Sequence, residues 1–125
     1  MEFSESLKKY SDFQCVYRKG KSYANRYLVM YVRRTDAYRM NRIGISVSKK
    51  VGNSVVRHRV TRLVREAYRL NETRFERGLE IVVVARPAVK GRSYSEVESA
   101  LLHLGRLHRV TGNSRASAGE GSENV

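Results

Sequence analysis

Apolar residues recur along this chain with two periods, about 3.6 residues in some stretches and 2 in others, and they mark helices and strands in turn. Phe13, Val16 and Tyr17 fall at i, i+3 and i+4, one face of a short helix with Ser11 as N-cap and Gly20 as its stop. Residues 27–33 read as a strand: Leu28, Met30 and Val32 point to the core, and Tyr27, Val29, Tyr31 and Arg33 point the other way. A polar stretch, 34–41, reads as a turn. In 43–48, Ile43, Ile45 and Val47 alternate with Gly44, Ser46 and Ser48, a strand with one apolar face and one face of small residues. Such a face admits either a close-approaching partner or a packed neighbouring element.

The loop 49–53 leads into the main helix, capped by Asn53 or Ser54. At about 100° per residue, Val60, Leu63, Val64, Ala67 and Leu70 form one stripe, while His58, Arg62, Arg65 and Arg69 lie opposite, with Arg57 and Arg59 at the edges. Beyond Gly78, residues 79–85 are a nearly continuous apolar run, the pattern of a strand buried on both faces. Residues 87–92 are a loop. Ser93 and Glu96 then form a capping box for a last helix, whose core stripe is Val97, Ala100, Leu101 and Leu104. From about residue 112 apolar periodicity ends. The expectation is one domain over 1–111 and a disordered tail over 112–125. The order, a helix, two or three strands, then helix, strand and helix (αβββαβα with three), implies a two-layer α/β sandwich, one mostly antiparallel sheet with helices against it.

Charge changes the picture. Among 125 residues there are 25 Lys and Arg against 12 Asp and Glu, a formal net charge of +13. Self-repulsion of that size destabilises a compact chain and points to a polyanionic partner. Nucleic acid leads. No apolar run reaches the roughly 18 residues of a membrane span, and the first residues have no signal-peptide core, so the expectation is a cytoplasmic protein without a membrane partner.

Catalytic chemistry is hard to place. His58, His103 and His108 share no metal-ligand spacing with Cys15, and no carboxylate pair or phosphate-cradling loop stands out. The expectation is no metal, no cofactor and no catalytic residue in the protein itself. Cys15 reads as a small hydrophobe. Lys49, Lys50, Arg57, Arg59, Arg62, Arg65 and Arg69, by contrast, occupy one loop and helix, opposed only by Glu66. Arginine dominates there, and guanidinium suits bidentate phosphate contacts. Phe13, Tyr17 and Tyr31 are a second candidate surface, for stacking on unpaired bases. Spacing alone favours the helix's core stripe for Phe13 and Val16, and Tyr17 and Tyr31 are the less core-like pair.

The run SVSKKVGNSVVRHRVTRLVREAYR, residues 46–69, closely resembles the signature of the ribonuclease P protein family, approximately S-V-S-K-K-x-G-N-A-V-x-R-N-R-x-K-R-x-x-R. DFQCVYRKGKSYANRYLVMY, residues 12–31, is similar to the family's N-terminal segment, and LEIVVVARPA to its fourth strand. The likeness extends over about residues 7–108. It implies an α/β sandwich with a left-handed βαβ crossover, where the general rule is right-handed. It also implies a function: a protein subunit, one per RNA, that binds a catalytic RNA and the 5′ leader of precursor tRNA and promotes endonucleolytic 5′ maturation. The RNA would carry the chemistry and the required Mg2+.

Transferred by position, Lys49, Lys50, Asn53, Arg57, His58, Arg59, Arg62, Arg65 and Arg69 are implied to contact the catalytic RNA or tRNA, and Phe13, Tyr17 and Tyr31 to line the leader cleft. His58 stands where the family usually has asparagine, and Thr61 where it usually has a cation. An imidazole cannot present a carboxamide's paired groups, and threonine brings no charge. The alternative from another class is a ribosomal or general structured-RNA-binding protein with no processing role. A free nuclease is disfavoured by the missing catalytic cluster.

Overall fold

The computed structural model describes residues 1–35 and 40–111. The elements are β1 (Ser4–Ser6), α1 (Tyr10–Lys19), β2 (Lys21–Ala24), β3 (Leu28–Arg34), β4 (Asn41–Ser46), α2 (Ser54–Asn71), β5 (Leu79–Ala85) and α3 (Tyr94–Leu107), with 3-10 turns at Glu72–Arg74 and Pro87–Val89. From α1 onward this is the expected αβββαβα order. The expected tail, 112–125, lies outside the described residues, as does the middle of the turn expected at 34–41. The ends of that turn belong to strands, since Arg34 closes β3 and Asn41 opens β4.

The five strands form one sheet in the order β1-β4-β5-β3-β2. β4 runs parallel to β5 and β1 parallel to β4, while β3 is antiparallel to β5 and to β2. The sheet is therefore mixed rather than mostly antiparallel. β4 and β5 pair in parallel because α2 carries the chain from the end of β4 back to the start of β5. β5 is central and its residues are almost all buried, as a continuous apolar run requires.

β1 has no apolar alternation and was not expected. It is held by other means: Asn41 N–H donates to Phe3 O at 2.8 Å, and Leu7 N–H to Ile43 O at 2.9 Å. The buried Glu72 carboxylate accepts from the N–H groups of Glu2 and Phe3, both at 2.8 Å.

The main core lies between the sheet and α2 with α3, and includes Leu28, Met30, Val60, Val64, Ile81, Val83, Val97, Leu101 and Leu104. A smaller cluster of Leu7, Val16 and Val82 sits on the opposite face, under α1. All four expected core residues of α3 are buried, and its Ser93–Glu96 capping box is formed. α1 starts two residues earlier than expected, with Lys9 and not Ser11 at its N-cap, and no side chain caps it.

The buried face of α2 is turned by roughly 40° from the expected stripe. Val60, Val64, Ala67, Tyr68 and Asn71 are buried, whereas Leu70 is 55% exposed. Polar partners explain this. Tyr68 Oη pairs with Ser4 Oγ at 2.7 Å and accepts from Asn41 Nδ2 at 3.2 Å. Asn71 Nδ2 donates to Ala67 O and to Glu98 Oε2, both at 2.8 Å. A satisfied tyrosine and asparagine can be buried at little cost.

Candidate nucleic-acid interface

Strand register lays out the face under α1 in rows. Tyr31, Val82 and Gly44 are neighbours across β3, β5 and β4. Arg33, Glu80 and Arg42 make the row on one side, and Val29, Val84 and Ser46 the row on the other. α1 crosses these strands. A Cβ built on Gly44 would lie 2.5 Å from Phe13 Cζ, so the ring sits directly on the glycine. Tyr17 meets Tyr31 edge to face, centroids 4.8 Å apart. Of the two readings of the small-residue face, the packed neighbour is what Gly44 has.

The opposite edge of α1 is anchored by charge. Arg42 Nη2 donates to Asp12 Oδ2 at 2.9 Å, and Arg33 Nη1 to Cys15 Sγ at 3.4 Å. Buried Glu80 accepts from both arginines, at 2.9 Å and 3.1 Å. Cys15 is thus a half-buried acceptor as well as a small apolar group. This network lay beyond sequence reasoning, because only strand register brings Arg33, Glu80 and Arg42 into one row.

With α1 fixed there, the row Val29, Val84 and Ser46 stays half-buried. Val84 packs with Phe13, Tyr17 and Tyr31 around the small cluster. All three expected cleft residues are brought together, half-buried at the margin of the small core cluster. The chain leaves β4 at Ser46 and passes into the loop that carries exposed Lys49 and Lys50.

The arginine helix packs against the other face of the sheet. Asn53 caps it, its Oδ1 accepting from Val56 N–H at 3.0 Å, so this side chain is already engaged. His58, Arg59, Arg62, Arg65 and Arg69 are exposed and Arg57 is half-buried. Their states differ. Arg69 makes a two-pronged contact with Glu66, at 3.0 Å and 2.6 Å, and that contact holds the Glu66 carboxyl below its ordinary range. Arg59 Nη2 donates to Arg92 O at 3.1 Å. Thr61 Oγ1 donates back to Arg57 O at 3.0 Å and so is satisfied within the helix. Among the described residues, His58, Arg62 and Arg65 have no hydrogen-bond or ion-pair partner in the protein.

Among the described residues no group of three or more His, Cys, Asp or Glu is placed to hold a metal ion. No helix among them is long and apolar enough to cross a membrane. A cationic helix on one face of the sheet and half-buried aromatics on the other are the features an RNA-binding class of α/β protein presents.

Comparison with known proteins makes that class specific. A family model described as Ribonuclease P matches residues 1–108. The ribonuclease P protein component of Lachnoclostridium phytofermentans is 59% identical over 111 residues, covering 89% of this chain and 95% of its own. The solved RNase P protein of Staphylococcus aureus superposes with a TM-score of 0.78 at 35% identity, over 84% of this chain and 95% of its own. That of Thermotoga maritima gives 0.73 at 32% identity, over 80% and 94%. The chain belongs to the ribonuclease P protein family.

Proposed function

We propose that this chain is the protein subunit of a bacterial ribonuclease P, working with a catalytic RNA that removes the 5′ leader of precursor tRNA. The observation that carries the reading is the pairing of family membership with two surfaces that have unspent binding capacity. On one, Arg62 and Arg65 are exposed and have no partner among the described residues. On the other, three aromatics border an open strip of sheet.

The division of labour follows from physical chemistry. Two RNAs repel each other, and a cationic helix between them lowers that repulsion and releases counterions as it binds. Arg57, Arg59, Arg62 and Arg65, with His58, Lys49 and Lys50, would make these contacts. Arg69 contributes less, since Glu66 already answers its charge, and Asn53 acts by capping the helix. A single-stranded leader has unpaired bases, and Phe13, Tyr17 and Tyr31 offer aromatic surface on which such bases stack. Holding the leader favours precursor over mature tRNA, because only precursor has one.

From the family come one protein per RNA, a left-handed β4-α2-β5 crossover and magnesium held by the RNA; the sequence pattern adds a cytoplasmic setting and a domain ending near residue 111. Reconstitution with a bacterial ribonuclease P RNA at low magnesium tests the proposal. The protein is expected to stimulate 5′ cleavage of precursor tRNA, and absence of stimulation with a cognate RNA would overturn it. Cleavage by protein alone would indicate a free nuclease instead.

A further inference from the structure

A second concavity, of about 520 Å³, lies between α3 and the turn that joins β2 to β3. Arg26, Tyr27, Ser95, Ser99 and Arg106 are in its lining. The turn is pinned onto the helix. Asn25 Nδ2 donates to Ala100 O at 2.9 Å, and Asn25 Oδ1 accepts from the N–H groups of Tyr27 and Leu28 at 3.2 Å and 3.0 Å. Arg86 Nη1 donates to Asn25 O at 2.9 Å, which adds a guanidinium at the rim. The groove is therefore preformed.

Its chemistry is that of a site for a polyanion with planar bases. The Arg26 and Arg92 guanidiniums lie 5.8 Å and 6.0 Å from the centroid of the Tyr27 ring, so an aromatic surface is bracketed by cations. Arg106 is in the lining on the α3 side. Glu96, the one acid among the described residues of the lining, is already engaged: it accepts from Ser93 N–H at 2.9 Å and pairs with Arg92 at 3.4 Å. Ser95 and Ser99, one helical turn apart and exposed, supply hydroxyls and little bulk, the features that let a phosphate backbone approach closely.

The groove also adjoins the arginine helix. The contact from Arg59 to Arg92 O joins α2 to the loop that carries Arg92. A strand lying along α2 would therefore reach the groove past Arg59 and Arg92. From this continuity, and resting on the reading of α2 as an RNA-binding face, we infer that the Arg26–Tyr27–Arg106 groove is a second docking site for the ribonuclease P RNA, separate from the leader cleft. It receives a backbone segment through Arg26 and Arg106, with a base against Tyr27.

The test uses the full chain and a cognate ribonuclease P RNA, with affinity measured from about 50 to 200 mM salt. Three double variants are compared: Arg26→Glu/Arg106→Glu in the groove, Arg62→Glu/Arg65→Glu on α2, and Lys8→Glu/Arg74→Glu as a control of equal charge change. Thermal melts check that each folds, and Arg26→Ala/Arg106→Ala replaces the groove reversal if it does not. The groove variant is expected to bind the RNA at least tenfold more weakly than the control. Its salt slope should be shallower by about one and a half to two, the loss of two phosphate contacts. Its preference for long-leader over short-leader precursor should stay intact. If the groove variant matches the control while the α2 variant binds weakly, the groove is not a docking site and the α2 reading stands. If all three bind alike, the α2 reading fails with it. Loss confined to long-leader precursor would assign the groove to the leader and overturn the inference.

Discussion

Gly44 is the position where packing and substrate selection meet most closely, and replacing it with alanine separates them. The added Cβ would lie 2.5 Å from Phe13 Cζ, 2.7 Å from Phe13 Cε2 and 3.2 Å from Leu7 Cβ. Ordinary carbon contacts need about 3.5–4 Å, so the ring must move outward by about 1 Å. Overpacking of this kind costs about 1–3 kcal/mol. Phe13 is at the edge of its cluster and can yield, which favours the low end, and removing a flexible glycine from the unfolded chain returns about 0.4–1 kcal/mol. The net expectation for Gly44→Ala is a loss of about 1 kcal/mol, a melting point a few degrees lower. The functional effect should be larger. Base stacking is worth about 1–3 kcal/mol, so a displaced Phe13 should lower the preference for long-leader over one-nucleotide-leader precursor by about tenfold. Phe13→Leu combined with Gly44→Ala should recover most of the stability but none of the leader preference, a strongly non-additive cycle. Additive stability changes would refute the packing argument. Unchanged leader preference in Gly44→Ala would refute the role of Phe13 in the cleft.

Three other perturbations follow from the same structure. Glu80→Gln leaves Arg33 and Arg42 facing each other without the charge between them. Breaking a buried pair costs about 3–5 kcal/mol, and the partial exposure of both arginines lowers the expectation to about 2–3 kcal/mol by denaturant unfolding; a loss under about 0.5 kcal/mol would show that the network does not anchor α1. Asn53→Ala removes the cap of α2 and should cost about 1 kcal/mol, or roughly 3–6 °C in melting point, with no change if the cap is dispensable. Burial pushes the Glu72 carboxyl up, but hydrogen bonds from the Ser4 hydroxyl and the N–H groups of Glu2 and Phe3 outweigh it and hold the group below its ordinary value. Its stabilisation is therefore complete above the ordinary carboxylate range and lost as pH falls through the lowered value, so wild type should lose more stability than Glu72→Gln between about pH 6 and 3. Parallel curves would contradict this.

Much of the fold was legible because local signals agreed with tertiary need. β5 is a run of aliphatic residues and became the central strand; Ser93 and Glu96 are three apart and formed their box. The cationic face of α2 was legible from helical spacing alone. What was not legible depends on long-range polar partners. Ser4–Ser6 carries no apolar pattern, and pairs with β4 through backbone bonds and the Glu72 carboxylate. Without β1, nothing in the sequence supplies Ser4 to Tyr68, so the buried face of α2 was expected to include Leu70 instead. The parallel pairing of β4 with β5 likewise depends on where α2 returns the chain. In the candidate site, spacing favoured the core for Phe13 and left Tyr17 and Tyr31 less core-like; the fold packs all three, half-buried, around the small cluster under α1. The row of Val29, Val84 and Ser46 appears only once strand register is known.

The most direct measurement places a photoreactive uridine at successive leader positions in the reconstituted holoenzyme and maps cross-linked peptides by mass spectrometry. The leader is expected to cross-link to the α1 peptide with Phe13 and Tyr17 and to the β3 peptide with Tyr31, while peptides carrying Arg62 and Arg65 cross-link to the catalytic RNA. Leader cross-links concentrated on the outer face of α2, with none on α1 or β3, would contradict the division between an aromatic leader cleft and a cationic RNA-binding helix.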